Sequence, residues 1–403
     1  MLWRHALISR VAVLAVSLAF HGSVSNPYAS DELRESHCNL TKLEAGTRAA
    51  TSALRTAQTG RAWRHLVLRL SVWDTVHFVK VARCGYEVEQ SHAFFPLFPG
   101  LLRAFASGQG AEADSVAAGI LLSNISFVVS IGLLHRLSQQ LLRDDQLAAT
   151  AAILLCWNPA SLRSNGASNA AFLAWWRLTA LWSQRWSITQ GKAARSCLTL
   201  AAQGMIVILP TLSFQLWGWH SLCIARAPDD RPEWCRSSWL PLPYGHVQRK
   251  FWDVGFLRFY RWKQAPNFLL AAPMLWLACG ACASYIRCAC HLQQGRGTGQ
   301  RRPAVKLKHS TWPEDAAWAG GMAELGFYSW PVAPFLCQWA CLAATAALFM
   351  NIQVITRFCS TCPAFYWYCA HLVRQKRQQW IWWYFASYAF LGALLFPNWF
   401  PWV

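Results

Sequence analysis

The chain has 403 residues, 55% hydrophobic, 14% aromatic and only 14% charged, with 37 Lys and Arg against 18 Asp and Glu and a formal net charge of +19. A soluble globular domain carries about 25% charged residues, so this composition excludes a soluble enzyme, a disordered chain and a nucleic-acid-binding domain. It predicts an all-α polytopic membrane protein. The positive excess suits cytoplasmic loops or a lumenal site for a phosphorylated lipid, and the 25 Trp and 10 Tyr suit interfacial aromatic belts.

The first apolar run, Ala6 to Phe20, follows Arg4 and His5 and has a length that fits either a short span or a cleaved signal peptide. Further runs are Val116 to Leu134, Leu147 to Trp157, Ala170 to Trp182, Leu198 to Trp217, Phe268 to Ile286, Val332 to Met350, Phe358 to Val373 and Ile381 to Phe396. Several fall short of the roughly 20 residues a full span needs and predict half-spans or tilted helices.

A cytoplasmic N-terminus puts every basic cluster on one side: Arg136 with Arg143; Arg185, Lys192 and Arg195; Arg287 to Lys308; and Arg374, Lys376 and Arg377. The whole chain, 1–403, then reads as one membrane unit with a first lumenal loop at 22–115, a second at 218–266 and a basic cytoplasmic loop at 287–330. Within the last, Gln293 to Pro303 is rich in Gly and Arg and reads as flexible. Asn39-Leu40-Thr41 is a glycosylation sequon on the lumenal side, whereas Asn124-Ile125-Ser126 lies inside a span.

The cysteines mostly sit in apolar runs, where a thiol acts as a small hydrophobe. Cys279 with Cys282 and Cys359 with Cys362 have CxxC spacing but lack matching partner pairs for zinc. Cys38, Cys84 and Cys235 lie in polar loops, where a lumenal disulfide among them has room to form.

Carboxylates are scarce: none occurs between Asp145 and Asp229, and none after Glu324. Spans without carboxylates, and the lack of an internal repeat, disfavour an ion-coupled transporter. Any general base must come from the lumenal loops. Asp74, in Trp73-Asp74-Thr75-Val76-His77-Phe78, follows the apolar residues Val67, Leu68, Leu70 and Val72. At a membrane interface partial desolvation would raise its basicity; a helix-capping Asp is the alternative. His77 shares its helical face and would orient it or contact a phosphate. In the second loop, aromatic residues interleave with Arg249, Lys250, Arg258, Arg261 and Lys263. Such a pattern serves a polyisoprenyl phosphate, the cations meeting phosphate, or ordinary interfacial anchoring.

Eight elements carry a family resemblance: WDxxHF from Trp73, FFPLFP from Phe94, NPAS from Asn158, RSNG from Arg163, PLPY from Pro241, the Gln248 to Arg258 stretch, QxPNFLLAAP from Gln264, and the terminal NWFPWV from Asn398. In that order and on those membrane sides, they resemble the GPI mannosyltransferase 2 family from about the first span to the last residues. The resemblance implies a GT-C-type fold and an endoplasmic-reticulum membrane enzyme with a lumen-facing site. It further implies a dolichyl-phosphate mannose donor, a GPI-precursor acceptor, and neither cofactor, metal nor nucleotide sugar. The 6-hydroxyl of the first GPI mannose would attack the anomeric carbon to give an α-1,6 link, with Asp74 as base. His77, Arg163 and Arg258 are the candidates for the donor phosphate; Glu89, Asn165, Tyr244 and Gln248 complete the expected substrate-binding set. The family leaves room for an accessory membrane subunit. One departure stands out: Ser161 and Leu162 run straight into Arg163, where the family has a segment with a Tyr-Ser/Thr-Glu element and further helices. A catalytically impaired or silent member, acting as a membrane subunit, is therefore the alternative reading, and 147–182 is expected to be irregular.

Overall fold

The computed structural model describes residues 2–21, 58–106, 112–158, 160, 205, 208–237, 242–297, 326–375 and 379–399. Among them the regular elements are helices, with no strand. Five helical segments are long and apolar enough to cross a membrane: Leu2–Phe20, Glu112–Leu142, Trp262–Cys290, Trp330–Phe349 and Trp380–Asn398. They turn large apolar side chains outward, among them Leu121, Leu269, Trp276 and Trp383, as a hydrocarbon solvent requires.

Helix α1 (Leu2–Phe20) packs against the hairpin of α5 (Glu112–Leu142) and α6 (Asp145–Cys156) and against the last long helix, α14 (Trp380–Leu395). Ala6, Ser9, Arg10 and Ser17 are buried there, so α1 packs into the bundle. Arg10 lies inside this span with its guanidinium 3.8 Å from the Phe127 ring centroid, a cation–π contact that offsets part of the cost of a charge at membrane depth.

Two expected spans are core helices instead. Leu147 to Trp157 falls in α6, only 12 residues long and started by Asp144, whose carboxylate accepts from the Leu147 N–H at 3.0 Å. Phe358 to Val373 is broken at Pro363, a residue that begins a helix readily and does not continue one. The break separates α12 (Ile355–Cys359) from α13 (Pro363–Arg374). Residues Pro363 to Ala370 are buried on every face, so α13 is the centre of the bundle rather than a lipid-facing span. There Trp367 donates to the Ser138 hydroxyl at 2.7 Å, and the Phe365 ring stacks on Phe385 at 5.6 Å. The run Ala170 to Trp182 lies outside the described residues, as do Arg185, Lys192 and Arg195.

The bundle has two chemically distinct ends. At one, Arg374 pairs with Asp144, and Ser329 joins the Leu141 carbonyl at 3.4 Å to the Tyr285 hydroxyl at 3.2 Å. This gathers the basic clusters around Arg143, Arg287 and Arg374. Helix α5 has 31 residues, about 46 Å at 1.5 Å per residue, and leads to the other end. There Glu112 meets Arg83 at 4.0 Å and the two long polar loops fold together.

Candidate functional site

Helix α3 (Asp74–Cys84) starts without a side-chain cap: its cap position is Trp73, at φ 54°, and Asp74 is its first residue. A tryptophan in the left-handed half of backbone space is strained; its ring lies 5.9 Å from that of Trp399 in the C-terminal tail. The tail is itself pinned, since the Asn398 amide donates to the Phe20 carbonyl at 2.8 Å. Asp74 is therefore set at a junction of the first loop, α1 and the chain terminus, and not in the capping geometry that its position suggested.

The Asp74 carboxylate accepts from the Arg357 guanidinium at 3.1 Å, with the two side chains 37% and 22% exposed. Sequence reasoning missed Arg357 because it stands alone in the short link between the apolar runs Val332 to Met350 and Phe358 to Val373. The pair places charge, not merely apolar surroundings, beside the candidate base. Asp74 also forms a wall of a cavity of about 140 Å³ that runs along α1 past Ser17 to Arg10 and reaches Asn124 of α5.

His77 lies on the same face of α3, its ring stacked on Phe94 at 4.7 Å. Burial lowers its pKa, Asp74 pulls it back up and Lys80 adds to the lowering, so the imidazole is held neutral. The FFPLFP element acts as a hub of rings. Phe94 also meets Phe78 at 5.1 Å and Trp252 at 6.2 Å, while Phe95 meets Tyr244 at 5.7 Å. The first loop is thereby fastened to α9 (Pro243–Trp252) of the second.

Helix α9 begins with Pro243 and, having no cap of its own, borrows one: the Tyr244 N–H donates to the side chain of Gln215 at 2.9 Å. Tyr244 feels the Arg357 charge and hydrogen-bonds Gln248; desolvation raises its pKa, and these two contacts oppose that rise. Asp74, His77, Tyr244 and Gln248 are thus brought around Arg357 and the Phe94–Phe95 hub. Glu89 is committed elsewhere, to Lys250 at 2.6 Å and to the Trp234 indole N–H at 2.9 Å. Trp234 in turn stacks on His246 at 4.8 Å, so Glu89 ties both loops together. Arg258 pairs with Asp253 at 2.5 Å on a loop that docks on the end of α11 (Ala333–Phe349) through Gly255 N–H to Phe349 carbonyl and Leu257 N–H to Leu348 carbonyl bonds. Arg163 and Asn165 lie outside the described residues.

Cys235 is disulfide-bonded to Cys223, 12 residues earlier, and not to Cys38 or Cys84. Its partner was overlooked because Cys223 closes an apolar helix end. Cys84 is also disulfide-bonded, and Cys38 is outside the described residues. The thiols of Cys279, Cys282, Cys359 and Cys362 are free.

A membrane bundle that gathers a carboxylate, an arginine and aromatic rings at one end offers a surface where groups carried on lipids can meet. The mannosyltransferase (PIG-V) family model matches residues 4–193 and 161–403, so the chain belongs to that family. The two matched stretches overlap at 161–193, which starts at the last residue of NPAS and takes in RSNG. GPI mannosyltransferase 2 of Drosophila melanogaster is 27% identical over 419 aligned positions, covering 82% of this chain and 86% of its own. Human GPI alpha-1,6-mannosyltransferase 2 is 27% identical over 383 positions, 76% of this chain and 73% of its own. The Drosophila pseudoobscura protein is 26% identical over 413 positions, 82% and 85%. No solved structure matches.

Proposed function

We propose that this chain transfers the second mannose of the GPI core, in α-1,6 linkage, from dolichyl-phosphate mannose to the GPI precursor at the lumenal face of the endoplasmic-reticulum membrane. The observation that carries this reading is the Asp74–Arg357 pair, at the membrane surface and beside the rings of α3 and α9. In the proposed step Asp74 takes the proton of the acceptor 6-hydroxyl, and the oxygen attacks the anomeric carbon as the bond to the donor phosphate breaks. Arg357 orients Asp74 and offers a guanidinium to the phosphate as its charge develops. His77, neutral, donates a hydrogen bond in the same region, and Tyr244 with Gln248 hold sugar hydroxyls. The cavity at Asp74 is smaller than the roughly 300 Å³ of a ligand pocket, so the reacting sugars meet at its mouth and their lipid anchors stay in the membrane. Arg163 and Asn165 remain part of the proposed substrate set, and Glu89 and Arg258 act through their partners Lys250 and Asp253.

The alternative, a silent membrane subunit, draws on the overlapping family matches at 161–193. Rescue of GPI-anchored surface proteins in cells lacking the enzyme separates the two. Rescue by the wild-type chain, abolished by Asp74→Asn, supports the proposal. Failure of the wild-type chain while it still associates with GPI-synthesis components favours the silent subunit.

A further inference from the structure

Helix α10 (Ala265–Gly297) carries four cysteines, and their depths differ. Trp262, 94% exposed, and Lys263 mark one membrane surface. From Ala265 to Ile286 no residue is charged, a stretch of about 33 Å that matches the hydrocarbon thickness of about 30 Å. The first charge after it is Arg287, so Cys288 and Cys290 stand in the opposite headgroup layer. Both are free, and Cys290 is exposed. Cys279 is also free and exposed, but it lies about 22 Å from Gln264 along the helix, inside the hydrocarbon and out of reach of the aqueous head of an acyl thioester. Directly beyond Cys290 the sequence carries Arg296, Arg301, Arg302, Lys306 and Lys308 with no acidic residue, the juxtamembrane basic composition that holds a segment against anionic headgroups.

We infer that Cys290, with Cys288 beside it, is a site of S-acylation by a long-chain acyl thioester. A thiol at this depth meets both the aqueous head of acyl-coenzyme A and the apolar layer that receives its chain. The Cys290 Sγ bonds to the acyl carbonyl carbon, the bond to the coenzyme sulfur breaks, and coenzyme A leaves as the thiol with the proton from Cys290. No oxidation or reduction occurs. One acyl chain added to a polybasic stretch provides the two signals that stable membrane attachment needs, pinning the start of the 293–308 segment to the leaflet.

The test uses the full chain expressed in cells. Free thiols are blocked, thioesters are cleaved with neutral hydroxylamine, and the released thiols are tagged with maleimide-polyethylene glycol. The wild-type chain should gain hydroxylamine-dependent mass tags, Cys290→Ser should lose the main one, and Cys288→Ser with Cys290→Ser should lose all of them. Cys279→Ser should tag like the wild type. A wild-type chain without a hydroxylamine-dependent tag, or a tag that persists in the double variant, overturns the assignment. Mannosyl transfer by the double variant, measured in parallel, reads the catalytic proposal independently.

Discussion

Two aspartates begin helices at opposite ends of the bundle, and each is paired with an arginine from the last third of the chain. Asp144 caps α6, its carboxylate shared between the Leu147 N–H and Arg374, on an extended backbone at φ −138°. Desolvation pushes its pKa up, but the hydrogen bonds from Leu147 and Arg374 and the Arg374 charge outweigh this and hold it below the usual range. Asp74 has the same partner type but follows a strained Trp73 and faces a cavity. In the first case local geometry and ion pair reinforce one another, which is what folding alone favours. In the second the backbone accepts a cost to hold a carboxylate and guanidinium at an open surface, strain of the kind that clusters at functional sites and that the proposed role of Asp74 would explain.

The sharpest way to break this comparison is to remove both carboxylates in turn. Asp74→Asn should lower mannosyl transfer by about 10²- to 10⁴-fold with little loss of folded protein. Asp144→Ala should leave transfer within a few-fold and cost about 1 kcal/mol of stability through the lost cap. Transfer in a microsomal assay and thermal unfolding in detergent measure the two axes; equal activity losses would dissolve the distinction. Arg357→Lys is the next test. It keeps the charge but loses the planar fork that fixes Asp74, so a loss of about 10²-fold in kcat is expected from misplacement of the base. Arg374→Lys should be silent in the same assay.

A smaller effect is expected at the tie between the loops. Glu89→Gln leaves Lys250 without its anion but keeps an acceptor for Trp234. Because Lys250 is 56% exposed and remains hydrated, the expected cost is about 1 kcal/mol. The accompanying signature is a raised KM with kcat nearly unchanged, since the tie sets how α9 is held rather than the chemistry. A kcat loss as large as that of Arg357→Lys would move Glu89 into contact with the reacting groups.

The membrane class and the Asp74 motif were legible in the sequence because composition and short spacing are local properties. The ring hub was half legible: FFPLFP and PLPY are visible as motifs, yet only the fold puts Phe95 on Tyr244 and Phe94 on His77. Arg357 was illegible because its partner is 283 residues away and it is a single cation in a short link between two apolar runs. The run Phe358 to Val373 fails as a span in the opposite sense: hydropathy cannot tell a helix buried on all sides by protein from one surrounded by lipid. The disulfide was missed for a related reason, since Cys223 looks like one more small hydrophobe.

The smallest effect is a dependence of stability on pH that originates at the Asp74 end. Burial lowers the pKa of His77 and of His92 from 6.5; Asp74 opposes this at His77, and bonds to Val88 and Glu89 oppose it at His92. His92 is almost wholly buried and its Nε2 lies 3.2 Å from the Ser221 hydroxyl. In the window below 6.5 the unfolded chain binds protons at these positions that the folded chain does not. Stability therefore rises with pH across that window and falls on acidification, by at most about 1.4 kcal/mol per pH unit for each proton. Replacing His77 with Phe keeps a ring against Phe94 and should flatten the acid limb of thermal unfolding midpoints followed from about pH 7.5 to about pH 5.5. An unchanged slope would mean that His92 alone carries the linkage and that folding does not lower the His77 pKa.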